Sequence, residues 1–301
     1  MKMNRKVKKL IASAFSLILA IGVLSGCSST TGSSNNDKKS KGTVKLVYVN
    51  WAEGIAMTNL VSAILQDKMG YKVDMKQGDV GMVFTSLSSG DMDVFLDGWL
   101  PVTHKDYMDK YQDKLEKLGV NFENAKIGLV VPSYMNINSI EELNGIKDEL
   151  GGKIVGIDAG AGIMKATNRA IKEYNLNYEL LEGSGATMTA MLKKAEDKKE
   201  PIVVTGWKPH WKFATWDLKF LDDPKKVFGE SENIYTITRT GFGKDMPEVA
   251  QFLKNFKMND QQLGSLMGDI KDNSSKKPIE VAREWIKNNE ELVNSWIPKS
   301  K

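Results

Sequence analysis

Seven tryptophans stand in the 301-residue chain, and three of them share a setting. Each lies at or just after the predicted end of a strand, in a turn marked by glycine or proline: Val49-Asn50-Trp51-Ala52-Glu53-Gly54, Asp97-Gly98-Trp99-Leu100-Pro101 and Thr205-Gly206-Trp207-Lys208-Pro209. Three strand ends meeting in one cleft would present three indole faces to one ligand. Such faces suit a methylated cation. A trimethylammonium carries a full positive charge but no N–H, so hydrogen-bond acceptors cannot hold it, and a bare carboxylate would attract any competing cation. Indole quadrupoles attract it, at about 0.5–2 kcal/mol per ring depending on desolvation, and the rings shelter its methyl groups. The remaining tryptophans, Trp211, Trp216, Trp285 and Trp296, read as packing residues. A sugar platform is the competing use of stacked tryptophans, but sugar hydroxyls call for several carboxylates and amides, and these turns offer only Asn50, Glu53 and Asp97.

A place for an anion follows in Ile157-Asp158-Ala159-Gly160-Ala161-Gly162-Ile163-Met164. This glycine-rich turn leads from a strand into a helix, where free backbone N–H groups and the positive end of the helix dipole favour a carboxylate. It is not a nucleotide fingerprint, because Gly160-x-Gly162 lacks a third glycine and no Walker lysine follows. Both histidines of the chain lie in the tryptophan turns, His104 in Trp99–His104 and His210 in Trp207–Trp211. Either could donate a hydrogen bond to the carboxylate, and either could cap a helix. No G-x-S-x-G, H-E-x-x-H or other catalytic signature is present, and one cysteine with two histidines makes no cysteine-rich or histidine-rich metal site. Neither an enzyme nor a cofactor nor a metal is expected.

The elements that must position these residues are short apolar runs alternating with helical periodicity. Strands are predicted at Val44–Val49, Tyr71–Met75, Val94–Leu96 and Lys126–Val131, with helices over Thr58–Met69, Val83–Leu87 and Lys105–Leu118 between them. A second series has strands at Lys153–Ile157, Tyr178–Leu181 and Ile202–Thr205, with helices over Ile163–Tyr174 and Ala186–Ala195. One more strand, Ile234–Thr238, precedes a wholly helical stretch from Pro247 to Trp296. Strands alternating with helices imply mostly parallel sheets covered on both faces. Two series make an α/β protein of two lobes, with a cleft beyond the strands' carboxyl ends.

The N-terminus carries Lys2, Arg5, Lys6, Lys8 and Lys9 before an apolar run from Leu10 to Val23, which has the charge and hydrophobic regions of an export signal and is short for a membrane span. It ends in Leu24-Ser25-Gly26-Cys27, which resembles the lipobox at which bacterial lipoproteins are cut and lipidated. Residues 1–26 are then a signal peptide, and a lipidated Cys27 opens a tether, 27–43, whose composition cannot fold. Removing the five basic residues of the signal from the 42 in the whole chain leaves 37, against 38 acidic ones. A near-neutral mature protein gives no electrostatic case for nucleic acid.

At the tryptophan turns the chain resembles the substrate-binding proteins of ABC importers for glycine betaine and proline betaine. The similar stretches are Gly156–Met164, Thr189–Lys194, Thr205–Trp211, Leu221–Pro224, Gly98–His104 and Gly128–Pro132. The resemblance implies a two-lobed, periplasmic-binding-protein-like fold with ligand in the cleft. It implies that Trp51, Trp99 and Trp207 box the quaternary ammonium, while the amides of Gly162 and Ile163 and the side chain of His104 hold the carboxylate. Some members carry the glycine turn and its tryptophan first, a permuted order that preserves the cleft. Following the family's alternation, lobe one is 44–132 with a helical return at 240–301, and lobe two is 133–239, with hinges near Val131-Pro132 and Thr236–Arg239. The expected partners are a betaine, used as a compatible solute in osmoprotection, the permease subunits and the membrane lipid. A monomer on the extracellular face of a Gram-positive cell membrane is expected. Carnitine or choline are the alternative ligands, an amino acid a further one, and a glycan-acting surface enzyme is a remote reading.

Overall fold

The computed structural model describes residues 40–299; the predicted signal peptide, Cys27 and most of the tether lie outside them. The order is β1 (Thr43–Tyr48), α1 (Ala52–Asp67), β2 (Lys72–Gln77), α2 (Val80–Ser89), β3 (Val94–Leu100), α3 (Lys105–Lys110) and β4 (Leu115–Pro132). After a short 3-10 helix at Ile140–Ile146 come β5 (Lys153–Val155), α4 (Gly162–Glu173), β6 (Glu179–Leu181), α5 (Gly185–Lys198), β7 (Val204–Lys208), α6 (Lys212–Thr215) and β8 (Leu218–Phe220). The chain closes with β9 (Glu232–Arg239), α7 (Phe242–Asp245), α8 (Pro247–Asn255), α9 (Asp260–Asp272), α10 (Pro278–Asn288) and α11 (Glu290–Trp296).

Each βαβ crossover returns its strand parallel to the one before, so β1 pairs in parallel with β2 and β3, and β5 with β6 and β7. Two long antiparallel strands join the series into the order β2-β1-β3-β9-β4-β7-β5-β6, with β8 also on β4. β4 belongs to both halves. Its residues Leu115–Ala125 pair with β9, whereas Lys126–Val130 pair with β7 and Val130–Pro132 with β8. The change of partner falls between Ala125 and Lys126, upstream of the expected hinge at 131–132, which is bonded into the second half. The expected second hinge, 236–239, lies inside β9, which pairs with β3 and with residues Leu115–Ala125 of β4. Residues 221–231 lead from β8 into β9.

α1 is buried from Glu53 to Leu65 except at Ile55, because it packs between β3 and the returning helices α9 and α10. A helix enclosed on all sides needs no polar face. One prediction fails outright. The helix expected over Lys105–Leu118 ends at Lys110, and Leu115 already opens β4. Met108, Tyr111, Leu115 and Leu118 have helical spacing, but pairing Leu115–Lys117 with β9 satisfies the backbone and buries Leu115, and tertiary pairing overrides the local pattern. At the other edge of the described chain, Lys41 donates its N–H to the Gly70 carbonyl at 3.1 Å and pairs with Glu248 at 2.8 Å. Lys41 to Thr43 therefore belong to the folded body.

Candidate functional site

Trp51 is the N-cap residue of α1, three residues after the end of β1; Trp99 and Trp207 are the penultimate residues of β3 and β7. The three strand ends meet, and all three indoles line one cavity together with Gly162, Ile163 and Glu53. Thr103, Ile127, Ile157 and Ala161 complete its wall. The lining thus draws on both halves of the sheet.

Gly162 and Ile163 open α4, whose N-cap, Ala161, supplies no side-chain acceptor. The first amides of a helix have no intrahelical partner and lie at its positive end, so this corner of the cavity is suited to an anion. Glycine at 162 has a steric reason: a Cβ there would stand 2.1 Å from the Thr103 carbonyl oxygen, across the cleft.

His104 is fully buried, stacked on Trp51 with ring centroids 5.8 Å apart and planes at 11°. Its Nδ1 accepts the Trp99 backbone N–H at 3.0 Å, and burial lowers its pKa to about 3. The ring is therefore neutral with its proton on Nε2, and that atom has no partner among the described residues. His104 stands behind Trp51 and outside the cavity lining. His210 has the capping role that the sequence left open: its Nδ1 accepts the Lys212 N–H at 3.0 Å, and its ring meets Trp207 edge-on.

The structure adds several residues to the predicted set. Glu53 and Asp97 are buried acids; Trp207 Nε1–H donates to Glu53 at 2.8 Å and Trp99 Nε1–H to Asp97 at 2.7 Å. Burial raises Glu53 to about 7, partly offset by the bond from Trp207. Burial raises Asp97 well above the carboxylate range, and the neighbouring Glu53 adds to it. Lys212 is fully buried, its Nζ 4.3 Å from the Trp207 ring centroid, and burial lowers it to about 7. Glu232, at the start of β9, accepts the N–H groups of Val102 and Thr103 at 2.7 and 2.8 Å and the Thr103 hydroxyl, fixing the turn that carries His104. Glu53 and Asp97 were legible as neighbours of the tryptophans. Nothing local marks Lys212 or Glu232, whose partners are set by the fold. Among the described residues no cluster of histidine, cysteine, aspartate and glutamate is arranged to hold a metal.

The arrangement offers indoles and the buried Glu53 toward a cation and helix amides toward an anion, the two ends of a zwitterion. Comparison with known proteins agrees with that chemistry. Residues 42–288 match the family described as the substrate binding domain of ABC-type glycine betaine transport systems. The glycine betaine/carnitine transport binding protein GbuC of Listeria monocytogenes is 51% identical over 146 residues, which is 48% of this chain and 48%, about half, of that relative. Lactococcal OpuAC, solved closed and complexed with glycine betaine, superposes with a TM-score of 0.80 at 37% identity, covering 85% of this chain and 100% of that one. An ABC-transporter choline binding protein in complex with choline gives a TM-score of 0.79 at 30% identity, covering 84% and 91%. With most of the folded chain matched, this protein belongs to the family of substrate-binding domains of ABC-type glycine betaine transport systems.

Proposed function

We propose that the chain is the receptor of an ABC importer and captures glycine betaine, with proline betaine as a second substrate, for delivery to permease subunits. The observation that carries this reading is the single cavity shared by Trp51, Trp99 and Trp207 with the first amides of α4. The indoles take the trimethylammonium, the amides of Gly162 and Ile163 take the carboxylate, and His104, stacked on Trp51, backs the cage. Binding closes two lobes, 40–125 with 232–299 and 126–231, by its differential affinity for the closed form. The family is one of solute-binding receptors, and the protein acts without catalysis, as a monomer held at the extracellular membrane face by a lipid on Cys27. Among the described residues no helix is long and apolar enough to cross a membrane.

The choline-bound relative supports a second ligand class, one with the ammonium and no carboxylate. Titrating the mature domain with glycine betaine, proline betaine, carnitine and choline while following tryptophan emission separates them. The betaines are expected to bind at least about tenfold tighter than choline, the difference supplied by charge-assisted bonds to the carboxylate. Emission unmoved by any of the four would defeat the reading, and choline binding tightest would replace betaine as the ligand.

A further inference from the structure

Every indole of the cage gives its Nε1–H to a carboxylate: Trp99 to Asp97 at 2.7 Å, Trp207 to Glu53 at 2.8 Å and Trp51 to Asp158 at 3.3 Å. The first bond stays within β3. The other two cross the cleft in opposite senses. Trp51, at the N-cap of α1 in the first lobe, donates to Asp158 beside the glycine turn of the second. Trp207, in β7 of the second lobe, donates to Glu53 in the first turn of α1.

We infer that Trp51–Asp158 and Trp207–Glu53 form a reciprocal pair of latches that hold the closed state, so that cage and lock are made by the same side chains. This rests on the proposed reading of a two-lobed betaine receptor. Each lobe contributes one indole donor and one acid acceptor, so neither bond can form while the lobes are apart. The other polar contacts that bridge the cleft are weaker candidates. Lys165–Asp106 and Lys208–Asp260 are ion pairs at the rim, with side chains 41%, 70%, 51% and 60% exposed, and exposed pairs of that kind contribute little; the Tyr107 hydroxyl donates to the Gly160 carbonyl at 3.2 Å, also in an exposed setting. Glu53 and Trp207, by contrast, are 1% and 4% exposed, and a buried donor or acceptor left without its partner is costly. The indoles that reach these carboxylates also line the cavity. A guest that tilts a ring therefore costs the receptor its closed form as well as a stacking contact.

The test is stopped-flow release of glycine betaine from the mature domain, followed by tryptophan emission. Asp158→Ala and Glu53→Ala are each expected to release ligand about tenfold faster than the parent, with association changed by less than about threefold, because closure acts on the off-rate. Asp158→Asn and Glu53→Gln, which keep an acceptor oxygen, should recover most of the slow release. Alanine variants that release at the parent rate overturn the latch, as do Asn and Gln variants no slower than alanine. If Glu53→Ala does not fold, Asp158→Ala, at a half-buried position, carries the same test. A parent protein that does not respond to betaine defeats the functional reading and the latch together, whereas a binding parent with unaltered variants defeats the latch alone.

Discussion

Trp207 meets three titratable groups, Glu53 at its N–H edge, Lys212 over its ring and His210 edge-on. Glu53 is raised by burial from 4.5 to about 7. Its folded value lies above its unfolded one, so its contribution to stability is full below about pH 4.5 and is lost as pH rises toward 7. Asp97, raised in the same direction, adds to that loss. Lys212 runs the other way: lowered from 10.5 to about 7, it favours folding fully only above about pH 10.5, and the benefit fades as pH falls toward 7. Glu53→Gln is therefore expected to melt with the parent at pH 4 and a few degrees above it at pH 8. Melting curves across that range check it, and equal curves at both ends refute the burial cost. Trp207→Ala should lower the melting temperature by several degrees as well as weaken betaine binding by at least about tenfold. The buried ring would leave a cavity and an acid without its donor. Thermal melts beside titrations measure both effects.

At the scale of elements, the N-terminus of α4 is both the proposed anion site and a place where the halves approach closely. A Cβ at 162 would sit 2.1 Å from the Thr103 carbonyl, so Gly162→Ala is expected to wedge the halves apart. It should raise the dissociation constant by at least about tenfold while moving the melting temperature by only a degree or two, since the open form has no such clash. Titration and calorimetry decide it; unchanged affinity would mean that the halves do not close there. The βαβ elements were legible because apolar periodicity is local: β1, α4 and β5 begin within about two residues of their predicted starts, the usual uncertainty of such boundaries. The Lys105–Leu118 helix was misread because the residues of early β4 carry helical spacing and only β9, more than a hundred residues on, makes them a strand. At the site, the tryptophan turns and the glycine turn announce their chemistry in consecutive letters. Lys212, between Trp211 and Phe213, reads as a surface lysine until the fold buries it.

For the whole molecule, a ligand that binds only the folded form raises stability by RT ln(1 + [L]/Kd), about 2.7 kcal/mol at a hundredfold excess over Kd. For a domain of this size that corresponds to a rise in melting temperature of roughly 5–10 °C. Glycine betaine at a hundred times its Kd is expected to produce that rise, and a scan without one would contradict specific binding to the native state.

The two halves are joined through β4 and β9, which lie side by side and are bonded to each other down to the pair Ala125–Glu232. Such a spine flexes across its width like the binding of a book, while its shared ladder resists one cover sliding past the other. A guest too bulky for the cage then props the covers ajar instead of shifting their register. Solute size is converted into an angle, and a transporter that engages both covers at once can read that angle without touching the guest.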